Sequence, residues 1–516
     1  MDQQNQSSAV GRSIPHDSAR GHVSGQSLFI DDLRPFAGEL YVGLVGSPVA
    51  CGTLLGVDAS AALALPGVVG VYTAADLPGH NRIGTIIQDE PVLADEELAY
   101  PGQPVAIVVC RERRQLRKAR RAIKVEYTES RPVLTIEDAR RTGVILGSRR
   151  KIERGNPEER LRQARHRLKG KLVIGGQEQF YLESQAALAV PGEHGQMTVY
   201  SSTQHTTEVQ NVVAEALGLK FHQVVCICKR MGGAFGGKES QAGIPGALAA
   251  LAALKTGRPA RLIYDKDTDM QITGKRHAYE AYYDVGFSDE GVIEGIAFDF
   301  FSNGGAYADL STSVLERTML HADNAYYLSD VVINAEICRT NLPPNTAFRG
   351  FGGPQGVATI ECIMEEISAH LGLDAFDVRE RNLYGKETRN VTPYGQIVKE
   401  HFLADVVKRV RLLSDYDRRQ QEINHESDPL FLRGISLSPV KFGISFTTRF
   451  LNQANALVNV YTDGTVQVST GATEMGQGVN TKLAQIVADE FGISYGDVLV
   501  MPTSTEKNSN TSPAAA

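Results

Sequence analysis

Hydrophobic positions along the chain fall into short runs and alternations, and polar stretches divide them into units. Met1–Ser18 is Gln/Ser-rich, which predicts a disordered tail over 1–18. Residues 19–127 carry the signals of a small α/β domain. Leu40–Val45, Val68–Tyr72 and Pro104–Cys110 are apolar runs of strand length. Asp58–Leu65 predicts a helix, with Asp58 as its capping residue and Pro66-Gly67 as its stop. Residues 128–170 are charged and poor in large apolar side chains. They predict a linker with weak helices, Asn156–Arg167 among them. Residues 171–430 alternate strand and helix signals. Val224–Cys228 reads as a buried strand, and Ala247–Leu254 as a helix with Pro245 near its start. Asp284–Gly295 reads as a hairpin turning at Ser288–Gly291. Glu361–His370 and Ala375–Asn382 read as helices, the second capped by Asp374. A polar, partly helical bridge over 388–428 precedes a further unit, 431–516. The fold class is therefore α+β and multi-domain.

A twofold internal similarity crosses these units. Thr198-Val-Tyr-Ser-Ser-Thr203 resembles Thr465-Val-Gln-Val-Ser-Thr470. Each is followed by a loop bearing a glutamine, Gln204 or Gln477. A helix ending near Leu217-Gly-Leu219 or Phe491-Gly-Ile493 comes next, then a strand, Val224–Cys228 or Val498–Met501. Two copies do not make a solenoid. They suggest related halves facing one another across a crevice, a place suited to a ligand.

Composition narrows the class. With 516 residues the chain exceeds one core, and 42% hydrophobic and 22% charged residues are ordinary for a soluble protein. A net charge of −7 argues against wholesale nucleic-acid binding. Arg111–Ala122 is nonetheless strongly basic; a solvated helix face is favoured over a docking face for an acidic partner. The 6 cysteines show no CxxC spacing, so no zinc ribbon or iron–sulfur ligand set is expected, and Cys226 and Cys228 read as core. No disulfide framework, signal peptide or membrane span is expected, which points to the cytoplasm.

Chemistry concentrates in glycine-rich loops. Arg230-Met-Gly-Gly-Ala-Phe-Gly-Gly-Lys-Glu239 lies between a strand and a helix, where close backbone approach and free helix amides suit an anionic ligand. Its spacing is neither a P-loop nor a dinucleotide fingerprint. Its companions are Thr346-Ala-Phe-Arg-Gly-Phe-Gly-Gly-Pro-Gln355, Phe442-Gly-Ile-Ser-Phe-Thr447 and Thr473-Glu-Met-Gly-Gln-Gly478. Phe351 and Phe446 can clamp a flat ring or pack in a core. Arg349, between Phe348 and Gly350, offers a fork of donors to an anion or lies on the surface. Arg317 has a local ion pair as its ordinary reading, and Glu239 a role at a helix start. Gln204 and Gln477 can donate to oxo groups without carrying charge, or brace their loops.

Together with Gly175-Gly-Gln-Glu-Gln-Phe-Tyr-Leu-Glu183, Asn345–Gln355, Lys441–Thr447 and Ser512–Ala516, these segments resemble the molybdenum-cofactor-binding subunit of the xanthine dehydrogenase/aldehyde oxidase family, in its bacterial form. The resemblance runs from about Pro15 to the last residue. It implies an α/β-hammerhead-like domain followed by mixed α+β molybdopterin-binding domains. It also implies an oxidoreductase that hydroxylates a carbon beside a ring nitrogen, with water as the oxygen source. Its electrons would leave through 2Fe-2S clusters and FAD, carried here on partner chains only. By motif match, Gln204, Phe235, Arg349 and Ala516 belong to the molybdenum site. Gly236, Met475, Gly476 and Gln477 join them in holding the cofactor. Phe351, Phe446 and Thr447 would hold the substrate ring, with Phe351 and Phe446 on either side of it. Glu239 and Arg317 match the polar pair that binds and activates a purine. That pair favours hypoxanthine or xanthine over an aldehyde.

The family's catalytic base, a glutamate in a Gly-Glu-Pro-type motif, has no counterpart here. The expectation is therefore an incomplete second cofactor domain and a chain inactive alone. Two alternatives stand beside the purine reading: an aldehyde or N-heterocycle hydroxylase, and a non-catalytic, truncated assembly protein.

Overall fold

The computed structural model describes residues 8–399, 401–425 and 430–515. Among them the largest sheet has eight strands. Their order is Thr503–Ser504, Val224–Cys228, Met197–Ser201, Ala186–Pro191, Ala260–Ile263, Leu40–Gly46, Pro104–Cys110 and Val68–Thr73. One sheet thus draws on all three parts of the chain. Leu40–Gly46 pairs in parallel with Ala260–Ile263, and Thr503–Ser504 closes the far edge against Ile227 and Cys228. The fully buried Pro104–Cys110 is continuously apolar because both of its faces are covered. Helices Thr206–Leu217 and Gly243–Thr256 pack together on the sheet, and the second is small and apolar all round, as a helix within a core must be. Cys226 and Cys228 lie buried in this core region, as the apolar run implied.

A second sheet of five strands runs His166–Ile174, Tyr279–Phe287, Ile293–Gly305, Val331–Arg339 and Arg150–Arg154. Its hairpin turns at Ser288–Gly291, closed by Ser288 N–H donating to Val292 O at 3.0 Å. Helices Ser311–Leu320 and Gly353–Leu371 pack in its core. Ala375–Asn382 follows, and the Asp374 carboxylate accepts the Phe376 N–H, so the expected cap is present. The bridge over 388–428 holds helices Leu403–Leu413 and Tyr416–Asn424, with residue 400 and 426–428 outside the described residues.

Two expectations need correction. Residues 128–170 are not simply a linker. They supply helices Ile136–Thr142 and Pro157–Gln163, the strand Arg150–Arg154 and the start of His166–Ile174, both strands lying at sheet edges. Edge strands with one wet face alternate exposed and half-buried positions, and His-Arg-Leu-Lys-Gly-Lys-Leu-Val-Ile does so without a break. Nor is the tail free along 8–18. The Thr481 hydroxyl accepts from Asp17 N–H at 2.8 Å, and Gln485 Nε2 donates to Ala9 O at 2.8 Å. Such a polar segment is ordered by hydrogen bonds to another part of the chain, not by a core of its own. Residues 1–7 lie outside the described residues.

The internal similarity is structural. Met197–Ser201 pairs in parallel with Val224–Cys228 through helix Thr206–Leu217, and Val466–Thr470 with Val498–Val500 through helix Val479–Phe491. Ala456–Val460 completes the second, three-stranded sheet. Each helix stops at a glycine in the left-handed region, Gly218 (φ 65°) or Gly492 (φ 63°). Each is followed by a 3₁₀ turn, Phe221–Gln223 or Tyr495–Asp497. No helix among the described residues is long and apolar enough to cross a membrane.

A Cβ at Gly492 meets nothing within 4 Å, so Gly492→Ala isolates backbone strain. It should lower stability by about 1 kcal/mol without changing the fold, read as a fall in the midpoint of chemical unfolding.

Candidate active site

The loop 230–239 leaves the buried strand Val224–Cys228 and is pinned from three directions. Met231 N–H donates to Glu474 O at 2.8 Å, Gly232 N–H to Glu183 Oε2 at 2.7 Å and Gly236 N–H to Gln204 Oε1 at 2.9 Å. Arg349 N–H then donates to Phe235 O at 2.8 Å. At Gly236 (φ 101°) a Cβ would stand 2.8 Å from Ala347 C, so the close approach of the two loops requires glycine. Thr473 Oγ1 reaches Gln204 O at 3.5 Å, and Met475 packs with Met231, Ala234 and Cys228. The four glycine-rich and glutamine-bearing loops around Gln204, Gly236, Arg349 and Gln477 therefore meet.

Gln204 and Gln477 hold similar positions at the entrances of the two repeated helices. Gln204 Nε2 donates to Ala514 O at 2.8 Å, and Gln477 Nε2 to Thr473 O at 2.9 Å. A primary amide has two N–H donors, and these bonds each use one. Phe235 is 43% exposed on a left-handed backbone (φ 55°), and Gly476 and the Arg349 side chain are exposed beside it. Arg349 makes no side-chain ion pair among the described residues. A Cβ at Gly476 would meet nothing within 4 Å. Open glycine backbone, spare amide donors and a free guanidinium form a donor set that fits a pterin-phosphate group. Ala516 lies outside the described residues, although Ala514 reaches Gln204.

Beside this cradle lie Glu239 and Arg317, 5% and 4% exposed. Neither follows its ordinary reading. Glu239 Oε2 and Arg317 Nε are buried with no hydrogen-bond partner, and Arg317 makes no salt bridge among the described residues. It donates to Ser445 O and stands over the rings of Phe442 (5.2 Å) and Phe351 (5.7 Å). Burial pushes the Glu239 carboxyl up to about 8; nearby Asp309 adds to this and Arg317 opposes it. Burial also lowers the Arg317 guanidinium, against the pull of Glu239. Glu239 is therefore largely protonated at neutral pH and able to donate.

The aromatic pair differs from expectation. Phe351 and Phe446 lie 4.8 Å apart between centroids, tilted by 59°. That is direct ring-to-ring contact, so the two close on each other instead of bracketing a third ring. A ring held between them requires one to move. Thr447 Oγ1 lies at 3.5 Å from Ser313 O, on the helix that carries Arg317.

Several residues had no assigned role in the sequence. Lys238 is fully buried, donating to Glu183 O (2.6 Å) and Ser202 Oγ (2.8 Å) beneath the Tyr181 ring. Gln179 Nε2 donates to Ala347 O at 3.0 Å, bracing the loop opposite Gly236. Asp309 accepts from Ser240, Gln241 and Thr346. The 230–239 loop contained the first and the Gly175–Glu183 motif the second; Asp309, a lone acid before a helix, carried no signal.

Models for the molybdopterin cofactor-binding domain match residues 137–383 and 409–516, and one for the aldehyde oxidase and xanthine dehydrogenase a/b hammerhead domain matches 24–131. The chain belongs to the aldehyde oxidase and xanthine dehydrogenase family. It is 40% identical over 509 residues to a xanthine dehydrogenase of Dictyostelium discoideum and 41% identical over 510 residues to a xanthine dehydrogenase/oxidase of Gallus gallus. Each alignment covers 98% of this chain and 37% of the relative. The chain thus spans under two-fifths of those proteins' length. The fold is shared with an aldehyde oxidoreductase from Desulfovibrio gigas (TM-score 0.88, 24% identity, 100% of this chain and 58% of that one). It is also shared with quinoline 2-oxidoreductase from Pseudomonas putida 86 (TM-score 0.85, 23% identity, 98% and 68%). The hammerhead and molybdopterin-binding architecture expected from the motifs is therefore present.

The raised Glu239 carboxyl has a measurable consequence. Between its ordinary value of about 4.5 and about 8, the folded chain keeps a proton that the unfolded chain has released. Its contribution to stability is full below the lower value and is lost as pH rises through the upper one. Glu239→Gln should match the parent near pH 4.5 and exceed it by a few kcal/mol above pH 8, in unfolding curves taken across that range.

Proposed function

We propose that this chain is the molybdopterin-binding part of a xanthine dehydrogenase acting on hypoxanthine or xanthine, with iron–sulfur and FAD groups on partner chains. The observation that carries the reading is Glu239 and Arg317: buried, one a carboxyl and the other a guanidinium, and each holding an atom without a hydrogen-bond partner. Burying such groups unpaired is costly unless a ligand satisfies them. An oxypurine offers a ring nitrogen for the one and a carbonyl for the other.

Gln204, Phe235, Gly236, Arg349, Met475, Gly476 and Gln477 would hold the cofactor, with Ala516 following by motif alone. When bound, molybdopterin supplies the oxygen transfer and the two-electron oxidation. The protein's part is electrostatic. Attack at a purine carbon builds negative charge on the ring and its carbonyl. Arg317 stabilises that charge from a site where little water competes. Glu239, protonated at neutral pH, shares its proton with a ring nitrogen as that nitrogen becomes basic. Phe351 and Phe446 orient the ring once they part, and Thr447 donates to its edge. An aldehyde has no second polar edge to engage this pair, which argues against the aldehyde reading.

In the assembled enzyme, Glu239→Ala and Arg317→Ala should each lower kcat/KM for xanthine by about 10²-fold or more, and for an aldehyde far less. Steady-state rates on both substrates provide the test. Equal losses on both would show that the pair is structural and end the purine assignment.

A further inference from the structure

Asp309 lies at the base of the helix Ser311–Leu320 that carries Arg317, and it is 5% exposed. Ser240 Oγ donates to both of its oxygens at 2.8 Å, Gln241 Nε2 to Oδ2 at 2.5 Å and Thr346 Oγ1 to Oδ1 at 3.0 Å. Ser240 and Gln241 directly follow Glu239, and Thr346 opens the loop that bears Arg349. One carboxylate therefore ties the ends of three segments that meet at the site. Behind it is a cavity of ≈20 Å³ lined by Asp309, Ser240, Gln241, Thr85, Asp89, Glu90 and Glu208. Such a space, with so many polar partners, has room for about one water.

We propose that Asp309 is a positioning residue: through Ser240 and Gln241 it fixes Glu239 opposite Arg317 and, as a second buried acid nearby, keeps the Glu239 proton in place for a substrate nitrogen. The substrate clause rests on the oxypurine reading above; the pairing of the two acids does not. Two neighbouring buried carboxylates do not both ionise readily, so the negative charge of one holds the proton on the other. The groups facing Glu239 are Asp309 from the helix base and Arg317 from the helix itself. Burial pushes the neighbouring Glu90 carboxyl upward, and Asp309 and then Asp89 add to this. Burial raises Asp309 to about 6, against the three side chains that donate to it. Asp309 is thus the member that ionises first, and Glu239 the member that stays protonated.

Asp309→Asn separates charge from shape. Its backbone is left-handed (φ 41°), a conformation that asparagine tolerates, and an amide oxygen can still accept from Ser240 and Thr346. The readout is an infrared titration of the ligand-free chain, with the protonated carboxyl band of Glu239 assigned by its loss in Glu239→Gln. That band should persist to about pH 8 in the parent and vanish about one pH unit lower in Asp309→Asn, while Asp309→Glu restores the parent value. Equal midpoints in the parent and Asp309→Asn, with unfolding curves showing both folded, would overturn the proposal. Xanthine binding by calorimetry, run in parallel, tests the other reading. A shifted midpoint without xanthine binding at any pH leaves Asp309 as the partner of Glu239 and removes the purine.

Discussion

The site depends on one close main-chain approach. Gly236 lies against the backbone at Ala347, and its N–H is received by Gln204 Oε1. These contacts join loops that are far apart in sequence, so closing them costs chain entropy that no local interaction recovers. The two sheets offset that cost. The large sheet sets the strands that deliver Gln204 and the 230–239 loop, and the five-stranded sheet with its helices delivers Arg317 and the 346–355 loop. Because Gly236 and Ala347 approach through backbone, that contact is set by chain path, and the neighbouring Phe235 and Arg349 side chains are left exposed for chemistry.

Lys238 and Glu239 show how adjacent buried ionisable groups can have different meanings. Both are almost wholly removed from water. Lys238 has two short hydrogen bonds, a carboxylate at 3.6 Å and an aromatic face. Burial lowers its ammonium, but its surroundings satisfy the charge, so it belongs to the scaffold. The Glu239 side chain has an oxygen with no partner and an acid for a neighbour. Nothing in the fold is stabilised by that arrangement. Satisfied and unsatisfied groups side by side distinguish what holds the loop from what the loop presents.

The same contrast explains what could be read from the residues in order. Strong local signals carried through: the all-apolar Pro104–Cys110, the glycine turn at Ser288–Gly291 and the cap at Asp374 each depend on a few neighbouring positions. The glycine loops announced themselves because close backbone approach leaves a compositional trace. His166–Ile174 did not read as a strand, since the partner that buries its alternate side chains, Tyr279–Phe287, is remote in sequence. Asp309 was invisible for the same reason. Its role lies in accepting from Ser240, Gln241 and Thr346, none of which is near it in the chain. The closure of Phe351 on Phe446 is set by tertiary packing, which pattern alone does not encode.

Continuity of the large sheet ties these observations together. Its strands come from the N-terminal part, the middle and the C-terminal part, so none of the three completes it alone. Leu40 and Val42 are buried in the same core as Val199, Leu248 and Leu262. Removing the first part would uncover that core and open the Ala260–Ile263 edge. At the other end, Thr505 Oγ1 accepts from Cys226 N–H at 2.9 Å, two residues before the strand ends and the glycine loop begins. The exit direction of that loop, and through it the position of Gly236 against Ala347, is thus coupled to the third part as directly as to the first. The cradle is accordingly a property of the whole sheet and not of the domain in which most of its residues fall.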